Sequence, residues 1–287
     1  MSPAAVMPAV FVLLWSTGFI GAKFGLPYAE PLTFLLIRLG LVAVVLAGAA
    51  LAARAPWPAT WGQAGRIALA GLLVHGVYLS GVFAAIAHGL PAGLTALIVG
   101  LQPLLTAALA GRFLGERVSG RQWAGLLLGL AGVALVVWEK IRFDAGQVTG
   151  LALAVMALLG ITVGTLYQKR HGAGMDLRSG TAIQYGATAA VLAVLAPALE
   201  TMRVDWTGEF LFALAWLSGV LSVGAIFLLF LLIRRGEAAR VASLFYLTPP
   251  VTALIAWGLF GERLGIPALA GMAVAACGVA LVNRGSR

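Results

Sequence analysis

One stretch of the sequence, Leu101–Val136, returns 146 residues later as Leu247–Val282 without a gap. Fifteen of the 36 aligned residues are identical, among them a proline near the start, a Gly-Glu-Arg triplet (115–117 and 261–263) and a five-residue run at the end. Chance matches between apolar segments seldom keep three such features at one offset. The sequence therefore predicts an internal duplication, and a repeat of this length determines the architecture.

The composition excludes an ordinary soluble domain. Of the 287 residues, 61% are hydrophobic and only 10% are charged, whereas soluble domains carry roughly 25% charged residues. A helix needs about 20 mostly apolar residues to cross the hydrocarbon, and most of this chain falls into such stretches. The net charge of +9 comes from basic residues scattered between apolar segments, so we expect a lipid bilayer and no nucleic acid as a partner.

The apolar stretches predict an all-α polytopic membrane protein with ten transmembrane helices. Several connectors are only a few residues long, so neighbouring spans run antiparallel. The predicted spans are Ala5–Phe24, Pro31–Ala52, Arg66–His88, Ala92–Leu114, Arg121–Trp138, Thr149–Gln168, Leu177–Leu199, Gly208–Ile233, Ala238–Phe260 and Pro267–Val282.

The basic residues indicate the orientation of the spans. Thirteen of the 19 Lys and Arg residues fall on one side of the membrane, five fall on the other, and Arg38 lies inside the second span. Because basic loops stay in the cytoplasm, we predict a protein of the bacterial inner membrane with both termini cytoplasmic.

The repeat divides the spans into two halves. Residues 1–138 and 149–287 each hold five spans, and residues 139–148 form the loop between them. Because five is an odd number, the second half enters the membrane from the opposite side. The prediction is two inverted repeats around a central cavity. Secondary transporters of this plan bind substrate near the midplane and work by alternating access.

Prolines lie near the middle of the fourth and ninth spans, at matched positions of the halves: Pro103, and Pro249 with Pro250. A proline within a helix removes one hydrogen bond and clashes with the carbonyl four residues back. Freed backbone at this depth is tolerable only against protein or a water-filled cavity. We therefore predict two hinged helices that line the substrate site.

Polar and aromatic side chains also gather at mid-depth, where contact with lipid would be costly. His75 and Tyr78 are three residues apart and therefore share one face of the third span. A hydroxyl group in a span can instead bond its own backbone or a neighbouring helix, and that alternative stays open for Thr162 and Ser222. The predicted substrate-binding residues are Trp15, His75, Tyr78, Gln102, Thr162, Ser222 and Tyr246.

Acidic residues are missing from the middle of every predicted span. Proton-driven exporters of cationic drugs need such a carboxylate, and only His75 titrates at this depth near neutral pH. Arg38 is expected to snorkel or to bond a carbonyl. A cavity of this kind suits a small neutral or zwitterionic cargo. We expect no catalytic residue, no metal site and no cofactor.

Four residues are assigned structural roles. Glu116 and Glu262 close the fourth and ninth spans, where a carboxylate caps the next helix or pairs with an arginine. Gly125 and Gly271 belong to small-residue seams that let helices pack closely. We expect no substrate contact at these positions.

These motifs resemble a known family over nearly the whole chain. The five-plus-five spans, the Gly-Glu-Arg triplets, the Trp15-Ser16-x-x-Phe19 stretch, Pro31 with Arg38, and Gln184 are similar to the drug/metabolite transporter superfamily, in its ten-helix EamA-type branch. The resemblance implies a cavity lined by helices one, three, four, six, eight and nine. It also implies export of amino acids and related metabolites by a chain that functions as a monomer. The carboxylate-free aromatic site favours aromatic and other neutral amino acids.

Two alternatives remain open from the sequence. One is another cargo on the same fold, such as a cationic drug or a nucleotide-sugar. The other is a membrane-embedded lipid-modifying enzyme, which would need clustered Asp, His or Cys residues near the headgroups. The three histidines, His75, His88 and His171, lie in separate segments, which favours transport over an enzyme.

Overall fold

The computed structural model describes residues 3–90, 95, 98–138, 148–172, 174–235, 238–260 and 265–283. In these ranges the chain is helical apart from turns, short connections and one isolated β-bridge. The helices are α1 (Pro3–Gly25), α2 (Pro31–Ala52), α3 (Trp61–Gly71), α4 (Tyr78–Ala87), α5 (Gln102–Leu114), α6 (Gly120–Val137), α7 (Val148–His171), α8 (Leu177–Leu199), α9 (Gly208–Trp216), α10 (Ile226–Arg235), α11 (Ala238–Ser243), α12 (Thr248–Phe260) and α13 (Ile266–Asn283). A first π segment (Leu72–Val77) joins α3 to α4, a second π segment (Leu217–Ala225) joins α9 to α10, and a 3-10 turn (Leu244–Leu247) joins α11 to α12.

Helix length and composition identify the membrane-crossing stretches. Within the described residues, six helical stretches are long and apolar enough to span a bilayer: Pro31–Ala52, Trp61–Ala87, Val148–His171, Leu177–Leu199, Gly208–Arg235 and Ile266–Asn283. Shorter apolar helices cover Val6–Gly18 and Gly120–Val136. Apolar side chains such as Val44 (73% exposed) and Val194 (69%) face outward, as expected of a surface that lipid solvates. The chain is an all-α polytopic membrane protein, as its composition predicted.

The helix boundaries follow the 146-residue offset found in the sequence. Shifting α5 by 146 positions gives 248–260, the bounds of α12, and shifting α6 gives 266–283, the bounds of α13. The other helices of the first half, and the first π segment, meet their counterparts with ends that differ by at most two residues. Regular helices and their irregular interruptions therefore recur together.

The fourth and ninth predicted spans contain irregular backbone just before the prolines, so the prediction that these prolines lie in the middle of a helix is wrong. Gly100 and Leu101 form a turn before α5, and the 3-10 turn precedes α12. Pro103 and Pro249 are therefore second residues of new helices instead of mid-helix residues. Proline is favoured in the first turn of a helix because its missing N–H would have no partner there anyway. In the predicted fourth span, most of the residues before residue 98 lie outside the described ranges.

The third span begins earlier than predicted, at Trp61 instead of Arg66. Thr60 caps the helix, because its hydroxyl oxygen accepts a hydrogen bond from the backbone N–H of Gln63 at 3.2 Å. The first turn of α3 contains Gly62 and Gln63, so hydropathy alone does not reveal it. The capping residue is the signal that marks this start.

Helices α6 and α13 pack along a seam of small residues that joins the two halves. A Cβ atom placed on Gly125 would lie 2.7 Å from the carbonyl oxygen of Gly278. One placed on Gly271 would lie 2.6 Å from the carbonyl oxygen of Gly132. The backbones therefore approach too closely for any side chain, which explains the glycines at these positions.

We predict that Gly271→Ala destabilises the protein by about 1–3 kcal/mol, because the added methyl group collides with backbone that cannot move aside. The matched control is Gly48→Ala in α2, where a new Cβ meets no atom within 4 Å. Thermal unfolding of the purified proteins in detergent measures the difference. Equal unfolding temperatures for the two variants would contradict the close packing of this seam.

Candidate functional site

A buried arginine lies at the centre of the polar interior. Arg38 of α2 is 5% exposed, and its Nε donates a hydrogen bond to the hydroxyl oxygen of Ser222 at 3.0 Å. Ser222 belongs to the second π segment, 184 residues away in sequence. The expectation that Arg38 snorkels or bonds a carbonyl is therefore wrong, because a hydroxyl partner from the second half holds it inside the protein.

The backbone at Ser222 is held from a second direction. The hydroxyl of Tyr185 in α8 donates a hydrogen bond to the carbonyl oxygen of Ser222 at 2.7 Å. In a π segment the backbone bonds run five residues apart and the local ladder is irregular, so such segments often mark functional sites. Arg38 and Tyr185 together fix the hydroxyl and the carbonyl of one residue in this segment.

His75 approaches the same cluster from the first π segment. Its ring centroid lies 4.4 Å from that of Tyr185 and 6.4 Å from that of Phe230. The side-chain amide of Gln184 lies beside the imidazole, and Arg38 is close enough to act on its charge. Nε2 of His75 has no hydrogen-bond partner among the described residues. The imidazole thus lies between residues of both halves and keeps an unused polar atom.

Aromatic rings form a wall next to this polar cluster. Trp15 of α1 lies 5.3 Å from the ring of Phe11 and 5.2 Å from that of Phe245, which it meets edge-on. Tyr78 interacts with the side chain of Trp15 and is also near Arg38. Offset and edge-to-face rings stabilise such clusters beyond their buried area. Three of these rings are hydrocarbon or indole, and Tyr78 adds a hydroxyl group.

The structure brings four predicted substrate-binding residues, Trp15, His75, Tyr78 and Ser222, into contact with Arg38, Tyr185 or one another. The seven residues predicted to line the site are each at most 8% exposed. They form the packed interior in this structure.

Three other predicted residues make different contacts. The hydroxyl of Thr162 bonds the carbonyl oxygen of Leu158 at 2.7 Å, which is the local alternative considered for such groups. Gln102 reaches only Thr106, at 3.4 Å, and its Oε1 has no partner among the described residues. The ring of Tyr246 packs against Gly129 in α6. These side chains are buried as well, and their described contacts do not include Arg38 or Tyr185.

Of the residues assigned structural roles, Glu116 forms an ion pair with Lys169 at the end of α7. The pair ties the α5–α6 connection to a helix of the second half. The prediction allowed an arginine as the partner, and the structure supplies a lysine. Glu262 lies outside the described residues.

One end of the bundle is closed by hydrogen bonds between the halves. The carboxylate of Glu200, after α8, accepts bonds from the backbone N–H groups of Leu32 and Thr33, both at 2.7 Å. Glu30 in turn accepts bonds from the N–H and hydroxyl of Thr201 at 2.8 Å. A carboxylate at a helix N-terminus satisfies N–H groups that have no partner within the helix. We call this set of contacts the Glu200 clasp.

A different side-chain contact joins the halves at the other end of the bundle. Here Ser179 of α8 donates a hydrogen bond to the carbonyl oxygen of Pro56 at 2.6 Å. A cleft of about 550 Å³ opens beside this contact, lined by Pro56, Met175, Asp176, Arg178, Phe227 and Arg234. Arg178 bonds Asp176 and holds the pKa of that carboxyl below its usual value. Asp176 therefore stays ionised and caps α8 at neutral pH.

Sequence reasoning missed Arg38 and Tyr185 as members of the site. The signal for Arg38 was present, since an ionisable residue inside a span marks a functional position by default. A second signal was the offset, because Gln184 stands 146 positions after Arg38 and both side chains approach His75. No comparable sequence signal marks Tyr185, which resembles an ordinary core aromatic residue.

Comparison with known proteins places the chain in a family. The EamA-like transporter family matches residues 3–138 and again residues 148–284. The chain is 28% identical over 291 residues to "Uncharacterized transporter YvbV" of Bacillus subtilis (strain 168), covering 99% of this chain and 92% of that protein. It is 26% identical over 270 residues to "Probable amino-acid metabolite efflux pump" of Escherichia coli (strain K12), covering 90% of this chain and 87% of that protein.

A solved structure called "Crystal structure of protein" shares the fold, with a TM-score of 0.81 and 22% identity over 99% of this chain and 98% of that one. The chain belongs to the EamA-like transporter family, within the superfamily that the sequence motifs resembled.

We predict that Glu200→Ala releases the N-terminus of α2. A hydrogen bond to a charged acceptor contributes enough that its loss increases local opening by about 10- to 100-fold. Hydrogen exchange of a peptide covering residues 28–36 measures the effect at the Leu32 and Thr33 amides. Glu209→Ala is the control, because Glu209 is exposed in the first turn of α9. Unchanged exchange at Leu32 and Thr33 would show that the clasp contributes nothing to closure.

Proposed function

We propose that this protein exports amino acids, aromatic and other neutral ones, and related small metabolites across the bacterial inner membrane. The observation that carries the proposal is the buried centre where the halves meet, in which aromatic rings surround a polar cluster. Among the described residues, the carboxylates stand at helix ends and in connections instead of in this centre. A site of this kind suits a small molecule with an apolar side chain and a polar head. The name of the Escherichia coli relative, a probable amino-acid metabolite efflux pump, supports outward transport and amino-acid metabolites as the cargo.

The proposed mechanism is alternating access by two inverted halves, 1–138 and 149–287. Matched helix boundaries support it, because two halves of similar structure can exchange conformations. The difference between the ends of the bundle supports it as well. The Glu200 clasp joins the halves at one end, and a surface cleft lies beside Pro56 at the other. With both termini cytoplasmic, the clasp lies on the outer side and the cleft on the inner side. One chain holds both halves, so a monomer suffices.

Among other cargoes, a cationic drug fits the centre less well. Arg38 places a fixed positive charge there, and like charges repel more strongly where water is excluded. The carboxylates of the described residues are engaged or exposed elsewhere, as Glu200 and Asp176 show. A nucleotide-sugar would need more cationic groups than Arg38 alone provides for its phosphates.

Counterflow of radiolabelled phenylalanine and tryptophan into proteoliposomes, with and without a pH gradient, tests the proposal. We expect exchange of both amino acids. Equal exchange with and without the pH gradient indicates a carrier that is not coupled to protons. Exchange that changes with the pH gradient indicates a proton-binding site, for which His75 is the candidate at mid-depth. Folded protein that exchanges no amino acid overturns the proposed cargo.

We predict that Tyr78→Ala, His75→Ala and Gln102→Ala each lower the initial rate of counterflow by about tenfold. The loss corresponds to one buried aromatic or polar contact with the cargo. Leu128→Ala in α6 is the control, because that side chain is 38% exposed on the outer surface. Protein level in the membrane is measured for each variant. Normal transport in all three variants would remove these residues from the site.

We propose that the interrupted fourth and ninth spans are hinges. Pro103 and Pro249 begin the helices that follow the breaks, and replacing proline by alanine lets the preceding turn become helical. Pro103→Ala and Pro249→Ala should therefore lower kcat by about tenfold and change KM by less than about threefold. Transport rates over a range of substrate concentrations measure both. Weaker binding with unchanged turnover would argue against hinges.

A further inference from the structure

Arg38 has more hydrogen-bond donors than the described part of the chain uses. Its guanidinium carries five N–H groups in a fixed fork, and the side chain is 5% exposed within a membrane-spanning helix. Its one hydrogen bond among the described residues is from Nε to Ser222. The two terminal nitrogens therefore donate to no described residue. Donors left without partners in such an interior are costly.

Arg38 also lacks a counterion in the described part of the chain. The ionisable side chains that act on it are Tyr78, Tyr185 and His75, and none of them is a carboxylate. An arginine does not lose its proton in proteins, so the positive charge is permanent. A buried charge without a partner is strongly destabilising.

The acidic residues of the chain are placed elsewhere. Glu116 and Asp176 pair with Lys169 and Arg178, and Glu30 and Glu200 bond backbone groups at the clasp. Asp205 and Glu209 are exposed. The other four, Glu139, Asp144, Glu237 and Glu262, lie outside the described residues, and the sequence places them between predicted spans.

The surroundings of Arg38 hold the fork in a defined orientation. Nε is fixed by the hydroxyl of Ser222, and the backbone of Ser222 is fixed by Tyr185. A planar guanidinium whose Nε is already bonded keeps its remaining donors available for two oxygens of one anion. Tyr78 of the aromatic wall interacts with both Trp15 and Arg38. A charged binding point and an apolar surface are therefore adjacent.

We propose that Arg38 binds the carboxylate of the transported molecule and so restricts the cargo to molecules with a free carboxylate. This inference deepens the proposed function, on which it rests, by naming the group that the site recognises. The cargo carboxylate supplies the missing counterion. Its aromatic or aliphatic side chain lies against the rings of Trp15 and Tyr78.

The chain itself suggests a variant that should fold. Gln184 occupies the position 146 residues after Arg38 in the other half, and it is fully buried there. Arg38→Gln therefore gives the first half the same residue, glutamine, that the second half has at the equivalent position 184. Arg38→Lys keeps the charge and loses the fork. Arg66→Gln in α3 removes an exposed arginine and is the control for net charge.

The first measurement is counterflow of radiolabelled tryptophan in proteoliposomes. The competitor is either unlabelled tryptophan or tryptophanamide, in which a neutral amide replaces the carboxylate. For the native protein and Arg66→Gln, we expect the amide to compete at least about tenfold more weakly, as expected for loss of hydrogen bonds to a charged group. In Arg38→Gln, KM for tryptophan should rise about tenfold or more, and the two competitors should become equivalent. Arg38→Lys should fall between these results. A native protein that accepts the amide equally, or an Arg38→Gln variant that still prefers the carboxylate, overturns the proposal.

A binding measurement separates this inference from the proposed function. Thermal stabilisation of the detergent-purified protein is compared for indole-3-acetate and indole-3-acetamide, which differ only at the carboxyl group. Stabilisation by the carboxylate alone, lost in Arg38→Gln, supports the carboxylate site even if no amino acid is transported. Equal effects of the two compounds on the native protein count against the site even if amino acids are transported.

Discussion

A helix that crosses a bilayer must satisfy its backbone hydrogen bonds internally, because hydrocarbon offers none. The structure depends on this constraint, since its irregular segments lie where protein surrounds them. The two π segments and the 3-10 turn include several of the most deeply buried side chains, among them His75, Ser222 and Tyr246. Irregular backbone is therefore kept in the interior, and it is there that polar side chains such as Arg38 and Tyr185 find carbonyl and hydroxyl partners.

Much of the fold could be predicted from the sequence, because apolar stretches and an internal repeat are strong signals. Hydropathy identified the long spans, and the Gly-Glu-Arg triplets led to the family that comparison confirmed. The breaks were not predicted. Pro103 and Pro249 were interpreted as kinks inside helices because hydropathy continues through both positions, and hydropathy does not report the hydrogen-bond ladder. The early start at Trp61 was missed for the same reason, since its first turn is polar.

The candidate site was harder to predict from the sequence, because the position of a residue along its span does not determine which way its side chain points. Thr162 and Ser222 are both buried hydroxyls, yet one bonds its own helix and the other bonds an arginine from the opposite half. Arg38 was interpreted from its distance to the end of its span, which favours snorkelling. In the structure it bonds a hydroxyl group 184 residues later in the chain, and pairwise contacts of this kind cannot be inferred from one sequence without an alignment.

The glycine seam between α6 and α13 has a mechanical consequence. These helices end the first and second halves respectively, yet their backbones touch so closely that neither can slide past the other without separation. A rearrangement that opens the centre must therefore carry the two helices as one rigid piece. The parts that move against each other cannot coincide with the two copies created by the duplication. Under the proposed alternating access, each moving part would therefore include helices from both copies, and the moving parts would differ from the two duplicated halves.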